Sequence, residues 1–202
     1  MGHGANALMM LSESFIDAGG SMDMGAWHVY STAGGDAINE MFLPQNSPSA
    51  DARVAHPSFI ADGEAGDSRL GKATMRTETA FTDDLSSDYD FWVYTSQSSP
   101  ISLIRNEELL LISAEAKILT DDLPGAVGDL NIVRNAAGLG GYSGAMTEEA
   151  VTDQMLHERR YSLFGEGHRW VDMRRFNKLG ELPIDRPDDD VWEEFPRPAT
   201  EG

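Results

Sequence analysis

The chain has 202 residues, 41% of them apolar and 24% charged, and no cysteine. That is long enough for one domain, or one domain plus a lobe, around a real core, and it excludes disulfides, thiolate zinc sites and cysteine nucleophiles. Thirty-four acids against fifteen bases give a formal charge of −19, which argues against nucleic acid and an anionic membrane surface as partners, because both need a basic footprint.

Mean hydropathy is −0.35, and no apolar run reaches the roughly 18 residues needed to span a bilayer. The start, Met1-Gly-His-Gly-Ala-Asn6, lacks the cationic segment of a signal peptide, and the apolar stretch Ala7 to Leu11 is too short for one. Either the protein is cytosolic or a targeting segment lies outside this chain, and a lipid-anchoring cysteine, if the protein has one, lies outside it too. The acidity supports two readings: a soluble or salt-adapted surface, or calcium binding by some of the carboxylates.

The first element predicted is a helix from Ala5 to Ala18, with Leu8, Leu11, Phe15 and Ile16 near helical spacing and Gly19-Gly20 as its stop. Trp27 to Tyr30 reads as a short strand or a helical turn. Residues 46–100 read as irregular, rich in Gly, Asp and Ser. They end in Tyr89, Phe91, Trp92 and Tyr94, whose alternating part suggests a strand or an extended edge.

Helices dominate from there. One is predicted from Leu103 to Leu119, apolar on most sides and so deeply buried. Asp121-Asp122 can cap the next, with Pro124 in its first turn. There Leu123, Ala126, Val127, Leu130 and Val133 form a core stripe, stopped by Gly138, Gly140 and Gly141. Thr147 opens a third helix with Val151, Met155, Leu156, Leu163 and Phe164 inward. His168 to Phe176 reads as a short fourth helix, and an extended, acidic tail follows Gly180. Ala114, Ala116, Ala126, Ala136 and Ala137 would let helices approach closely. The architecture expected is mainly α, with tetratricopeptide-like helix pairs and an irregular loop-rich lobe with little strand. Residues 1–100 would form the lobe with its one N-terminal helix, and residues 101–202 the helical region.

Four blocks carry a resemblance. Arg105-Asn-Glu-Glu-Leu-Leu-Leu-Ile-Ser-Ala-Glu-Ala-Lys117, Gly125 to Gly138 (with Leu-Asn-Ile-Val-Arg-Asn-Ala-Ala-Gly at its end), His157 to Arg175 (with Gly-Glu-Gly-His-Arg-Trp-Val-Asp-Met-Arg-Arg) and Phe195-Pro-Arg-Pro-Ala-Thr-Glu201 stand in order. Together they resemble the C-terminal helical region of the SusD/RagB family of outer-membrane nutrient-binding lipoproteins, and Asp51-Ala-Arg53 is similar to the family's mid-chain Asp-Pro-Arg. Ser162 and Asn135 depart from the family's usual Glu and Arg. Because family members are usually much longer, the resemblance implies that this chain is part of a longer protein. The resemblance implies a binding protein, not an enzyme, at the cell surface of the outer membrane. It would be peripheral to that membrane through a lipid anchor outside this chain. It would deliver an oligosaccharide or polysaccharide to a SusC-like TonB-dependent transporter, with no cofactor. A helical-repeat scaffold for a protein partner is the alternative, and a glycoside hydrolase a third.

Sugars stack their apolar faces on aromatic rings and hydrogen-bond through their hydroxyls. The aromatics outside the strong helical blocks, Trp92, Tyr94, Trp27 and Tyr30, are therefore the candidate ligand-binding residues, with core packing as the competing reading. Alternation would put Trp92 and Tyr94 on one face. Glu158, Glu166 and Asp172 with Arg159, Arg160, Arg169 and Arg174 read as ion pairs tying the third and fourth helices together, with Trp170 as a core plug. No catalytic residue and no metal ligand is assigned. His157 and His168 lack zincin spacing, and Gly138 to Gly144 follows a helix and lacks the lysine of a phosphate loop. Asp185 to Asp190 lacks the glycine and spacing of a calcium loop.

Overall fold

The structure, a computed structural model, describes residues 2–195; the closing motif after Phe195 lies outside them. The first helix, α1, spans Gly2–Ser12, shorter than its periodicity suggests. The hydroxyls of Ser12 and Ser14 turn back onto the carbonyls of Met9 and Leu11, the local competition that ends helices at serine.

Strand β1 (Gly25–His28) pairs antiparallel with β4 (Ile101–Arg105). Residues 101–105 are therefore strand, and the helix expected from Leu103, α3, begins at Asn106 (Asn106–Ile118). Arg105 is extended (φ −140°, ψ 165°). Asn106 is fully buried and clasps the preceding loop: its Oδ1 accepts from Asp17 N–H, and its Nδ2 donates to the carbonyls of Asp17 and Ser21.

The stretch read as irregular contains a one-turn helix, α2 (Ser58–Ala61), a 3-10 turn (Ser68–Lys72) capped by Asp67, and a hairpin of β2 (Ala73–Thr82) with β3 (Leu85–Phe91). Asp83 and Asp84 make its turn, both at positive φ (52° and 60°), the backbone of a primed two-residue turn. The ladder breaks between Met75 and Ala80. Arg53 and Ala55 hydrogen-bond to β3 through Phe91 N–H and Tyr89 O, so the Asp51-Ala-Arg53 segment leads into the sheet's edge.

Helix α4 (Leu123–Ala136) starts as predicted, with Asp122 accepting from Gly125 N–H and a proline in the first turn. Helix α5 (Glu148–Ser162) is capped by Thr147 through Ala150 N–H, and α6 (His168–Arg175) follows. Lys117 near the end of α3 meets Asp129 of α4 at 2.6 Å, as expected for a hairpin of helices. A 3-10 turn (Leu179–Glu181) precedes the tail. Six α-helices against two two-stranded sheets make the described residues mainly α.

Helix α3 is the centre, packed by α1, α4 and α5. Gly4 lets α1 approach, since a Cβ there would sit 2.8 Å from Ala116 O. The main core joins Leu110, Leu111, Ala114, Leu130, Val151 and Met155, all at most 1% exposed; each large side chain so buried contributes about 1.5–3 kcal/mol. Ala126 is also inside, but Ala136 is exposed. A second cluster sets Phe59 and Tyr161 with Phe164 beneath the hairpin. Trp170 is not a core plug. It is half-buried on α6, donating from Nε1 to Trp192 O (2.8 Å) and packing on Phe195, because its position on α6 faces the returning tail.

Candidate functional site

A cleft of about 310 Å³ opens where the β1–β4 sheet, the start of α3, the 3-10 turn and the segment after β3 meet. Its geometry begins with an irregularity in the ladder. Ala26 pairs with Ile104 but Trp27 pairs with Ser102, so Leu103 is an extra residue on β4. A bulge of this kind re-aims the side chains beside it. Leu103 is turned out to solvent, whereas Trp27 and Ser102, opposite one another, both line the cleft. The indole is braced by its own N–H, given to Asp23 O at 3.1 Å.

Tyr94 enters from the other wall, 7% exposed. Burial raises its phenol pKa, and the nearby Glu166 adds to the effect, so the hydroxyl stays a donor at neutral pH. Lys72 Nζ donates to the carbonyls of Tyr161 (2.8 Å) and Ser162 (2.5 Å) at the end of α5. Burial pulls its pKa down to about 8. Arg105 is also buried: it donates to Glu166 (2.5 Å), Glu107 (3.0 Å) and Ser162 O (2.7 Å). Two cations thus close the C-terminus of α5, where carbonyls and the negative dipole end need them. Ser102 Oγ is buried with no partner among the described residues. The result is an indole face beside hydroxyls, carboxylates and ammonium donors, a set suited to a neutral polyhydroxylated ligand.

Of the four aromatics singled out, the cleft brings together Trp27 and Tyr94. Trp92 instead packs on Phe42, 6.2 Å between ring centres, and Tyr30 sits edge-on to His28 at 4.7 Å. Trp92 and Tyr94 do not share a face because β3 ends at Phe91, so strand alternation does not continue through them. Lys72, Ser102 and Arg105 carried no sequence signal as site residues; Lys72 lies in a Gly- and Asp-rich stretch, and Arg105 stood only in the helix motif.

The Glu158 to Arg175 block divides differently from the expectation. Among the described residues, the one ion pair that joins α5 to α6 is Arg159 with Asp172, 2.6 Å apart. Glu158 faces the other way, to Arg69 (2.6 Å) and Arg134 (2.7 Å), and Glu166 goes to Arg105. Among the described residues, one group has three ligand-type side chains close enough to share an ion: Glu64, His157 and Glu158. Arg134 lies 2.5 Å from Glu64 and 2.7 Å from Glu158, so guanidinium already holds the place a cation would take. In the acidic run, Asp185 meets His56 and Asp189 meets Arg186.

The family model of the SusD family matches residues 60–198. The chain belongs to the SusD family. The match extends well before Arg105, across the β2–β3 hairpin. Among solved structures, the chain is similar to a SusD superfamily protein from Parabacteroides distasonis, with 17% identity and a TM-score of 0.58 over 85% of this chain and 45% of that one. It is also similar to surface glycan-binding protein A from Bacteroides uniformis, with 21% identity and a TM-score of 0.52 over 78% of this chain and 38% of that one. At these identities the likeness is one of fold. A SusD-like carbohydrate binding protein from Bacteroides vulgatus is 27% identical over 58% of this chain and 26% of that one, with a TM-score of 0.47. The chain thus spans less than half the length of each of these SusD-like proteins. No curated protein matches it. No helix among the described residues is long and apolar enough to cross a membrane.

Proposed function

We propose that this chain takes part in binding a carbohydrate at the outer face of the outer membrane and in passing it to a SusC-like TonB-dependent transporter, held at the membrane by a lipid anchor outside these residues. Membership of the SusD family supports the class of function. The observation that carries it to particular residues is the convergence of Trp27 and Tyr94 on one cleft, with Ser102 Oγ left without a protein partner. The reading is one of binding without chemistry. Of the three acids that line the cleft, Asp23, Glu107 and Glu166, the two glutamates are both engaged by N–H donors from Arg105.

Calorimetry with a panel of neutral oligosaccharides tests this reading. Trp27→Ala and Tyr94→Ala should each weaken binding by about tenfold or more, the loss of one stacking or hydroxyl contact. Unchanged affinity in both variants would remove the cleft from the account. Binding of peptides with no binding of any carbohydrate would replace the reading with a protein-partner scaffold. Co-purification with a TonB-dependent barrel encoded beside it tests delivery.

A further inference from the structure

A second cavity, about 470 Å³, lies between the end of α5, the start of α6, α2 and the segment from Glu181 to Pro183. Three arginines line it: Arg159, Arg160 and Arg169, with His168 beside them. In a chain of −19 these three arginines outnumber the two acids, Asp62 and Glu181, that line the same cavity. Its acids are already engaged. Asp62 is held by Arg160 at 2.9 Å, and Glu181 by Lys178 at 2.8 Å.

The arginines are not equally satisfied. Arg160 also donates to Ser58 Oγ. Arg159 is 6% exposed; its Nε gives to Asp172, a carboxylate shared with Arg175, and its Nη1 is buried with no partner among the described residues. Arg169 makes one long bond, 3.3 Å to Leu156 O, and meets no carboxylate among the described residues. Burial, and then Arg160 alongside, lower its pKa, and the more distant charges of Glu181 and Asp172 offset this only in part. With no carboxylate in direct contact among the described residues, this guanidinium lacks the close partner that burial normally demands.

A second feature of the same cavity points the same way. Helix α6 begins here, eight residues long, and its N-cap Gly167 offers no side chain to accept the first-turn N–H groups. An uncapped helix start presents open donors and the positive end of the dipole, the ordinary setting for an oxyanion. Phe164 and Trp170 line the same space and give a flat apolar ring something to lie against.

We infer that this cavity binds an oxyanion, the carboxylate of an acidic sugar unit, between Arg169, Arg160 and the open start of α6. The oxyanion half of this assignment stands on the charge and the helix start. The sugar half rests on the carbohydrate reading above.

Calorimetry at low ionic strength with glucuronate, methyl glucoside and inorganic sulfate tests it. Glucuronate should bind at least about tenfold more tightly than methyl glucoside, the effect of one charge-assisted contact, and added salt should weaken it. Arg169→Gln should remove most of that preference, while Arg53→Gln, at an exposed arginine outside both cavities, should leave it unchanged. Equal affinity for glucuronate and methyl glucoside, or full glucuronate binding in Arg169→Gln, overturns the inference. So does binding of sulfate without glucuronate. If Arg169→Gln does not fold, the comparison of ligands on the unmutated chain decides by itself. Neutral oligosaccharides binding at the Trp27 cleft without glucuronate binding here would defeat this inference and leave the proposed function standing.

Discussion

Arg134 Nη1 stands 2.7 Å from Glu158 Oε1, a pair that joins α4 to α5 with the carboxylate fully buried. Each partner has a further one: Arg134 also holds Glu64, and Glu158 also lies 2.6 Å from Arg69 and accepts from Gln154. Arg69 in turn holds Asp67, the cap of the 3-10 turn. The chain of charges therefore pins the hairpin lobe to the helices. Removing Glu158 strands two guanidiniums that are 7% exposed. Glu158→Ala should lower the unfolding free energy by about 3–5 kcal/mol, the cost of breaking a buried pair from one side. Urea denaturation measures it. A loss under about 1 kcal/mol would show that Glu64 and Asp67 compensate both arginines, and that the network does not depend on Glu158.

Gly165 sits at φ +80°, and a Cβ there would come within 2.5 Å of the Phe91 ring. That ring is not free to swing, since it packs on Phe164 (5.4 Å) and Tyr94 (6.0 Å). Gly165→Ala should cost about 2 kcal/mol, combining left-handed backbone strain with displacement of the ring. Gly167 provides the control, with a similar φ of +83° and nothing within 4 Å. Gly167→Ala should carry the strain alone and cost about 1 kcal/mol. Equal losses in thermal unfolding of the two variants would mean that Phe91 gives way freely.

The contrast between these two networks shows what the sequence makes legible. The helical half can be read because its signals are local: Asp122 and Thr147 sit at their caps, and the stripe of Ala126, Leu130 and Val133 is buried as its spacing requires. Strand β4 was hidden because Ile101, Leu103 and Ile104 suit a helix as well as a strand, and only a distant partner, β1, pairing Gly25 with Arg105 and His28 with Ile101, decides between them. The hairpin was hidden by its composition, for Asp83-Asp84 lacks the usual glycine and the ladder is broken in the middle. In the cleft, Trp27 and Tyr94 could be named as candidates by residue type, but their meeting depends on the bulge at Leu103, and Lys72 and Arg105 reach it only through the end of α5. Such features arise from tertiary contacts, which pattern alone does not carry.

Lys72 links the cleft to pH. Its ammonium loses its proton near pH 8 in the folded protein, because burial disfavours the charge, against about 10.4 in the unfolded chain. Between those values the unfolded chain holds more protons than the native one, so this group makes stability rise with pH across that window and contributes no slope below it. The stability of the unmutated protein minus that of Lys72→Met should increase by about 2–3 kcal/mol between roughly pH 7 and pH 10. The buried phenols of Tyr94 and Tyr161, both raised by burial, act in the opposite sense as pH climbs through their folded values. They are present in both proteins and cancel in the difference. A flat difference measured by urea denaturation would rule out a depressed Lys72.

Trp170 was expected inside the core, and its actual surroundings make a different claim about what it does. Its Nε1 holds Trp192 O, its ring packs 4.9 Å from Phe195, and the Arg174 guanidinium lies over it at 5.5 Å. The tail is held elsewhere by Asp185 on His56 (3.1 Å) and Arg186 on Asp83 (2.5 Å), which are exposed ion pairs. Such pairs contribute little by themselves, about 0–1 kcal/mol each, and weaken with salt. The aromatic clasp is then the stronger hold on the tail beyond Leu182. Trp170→Ala should leave the global unfolding free energy within about 2 kcal/mol of the original, because a half-buried ring vacates no closed cavity. It should at the same time speed amide hydrogen exchange and proteolytic cleavage between Leu182 and Phe195, the signature of local opening without global unfolding. Raising the salt concentration should accelerate cleavage further in the variant than in the original, since only the ion pairs remain to hold the strap. A loss of 4 kcal/mol or so in global stability, with exchange in the tail unchanged, would return Trp170 to the core role its motif first suggested.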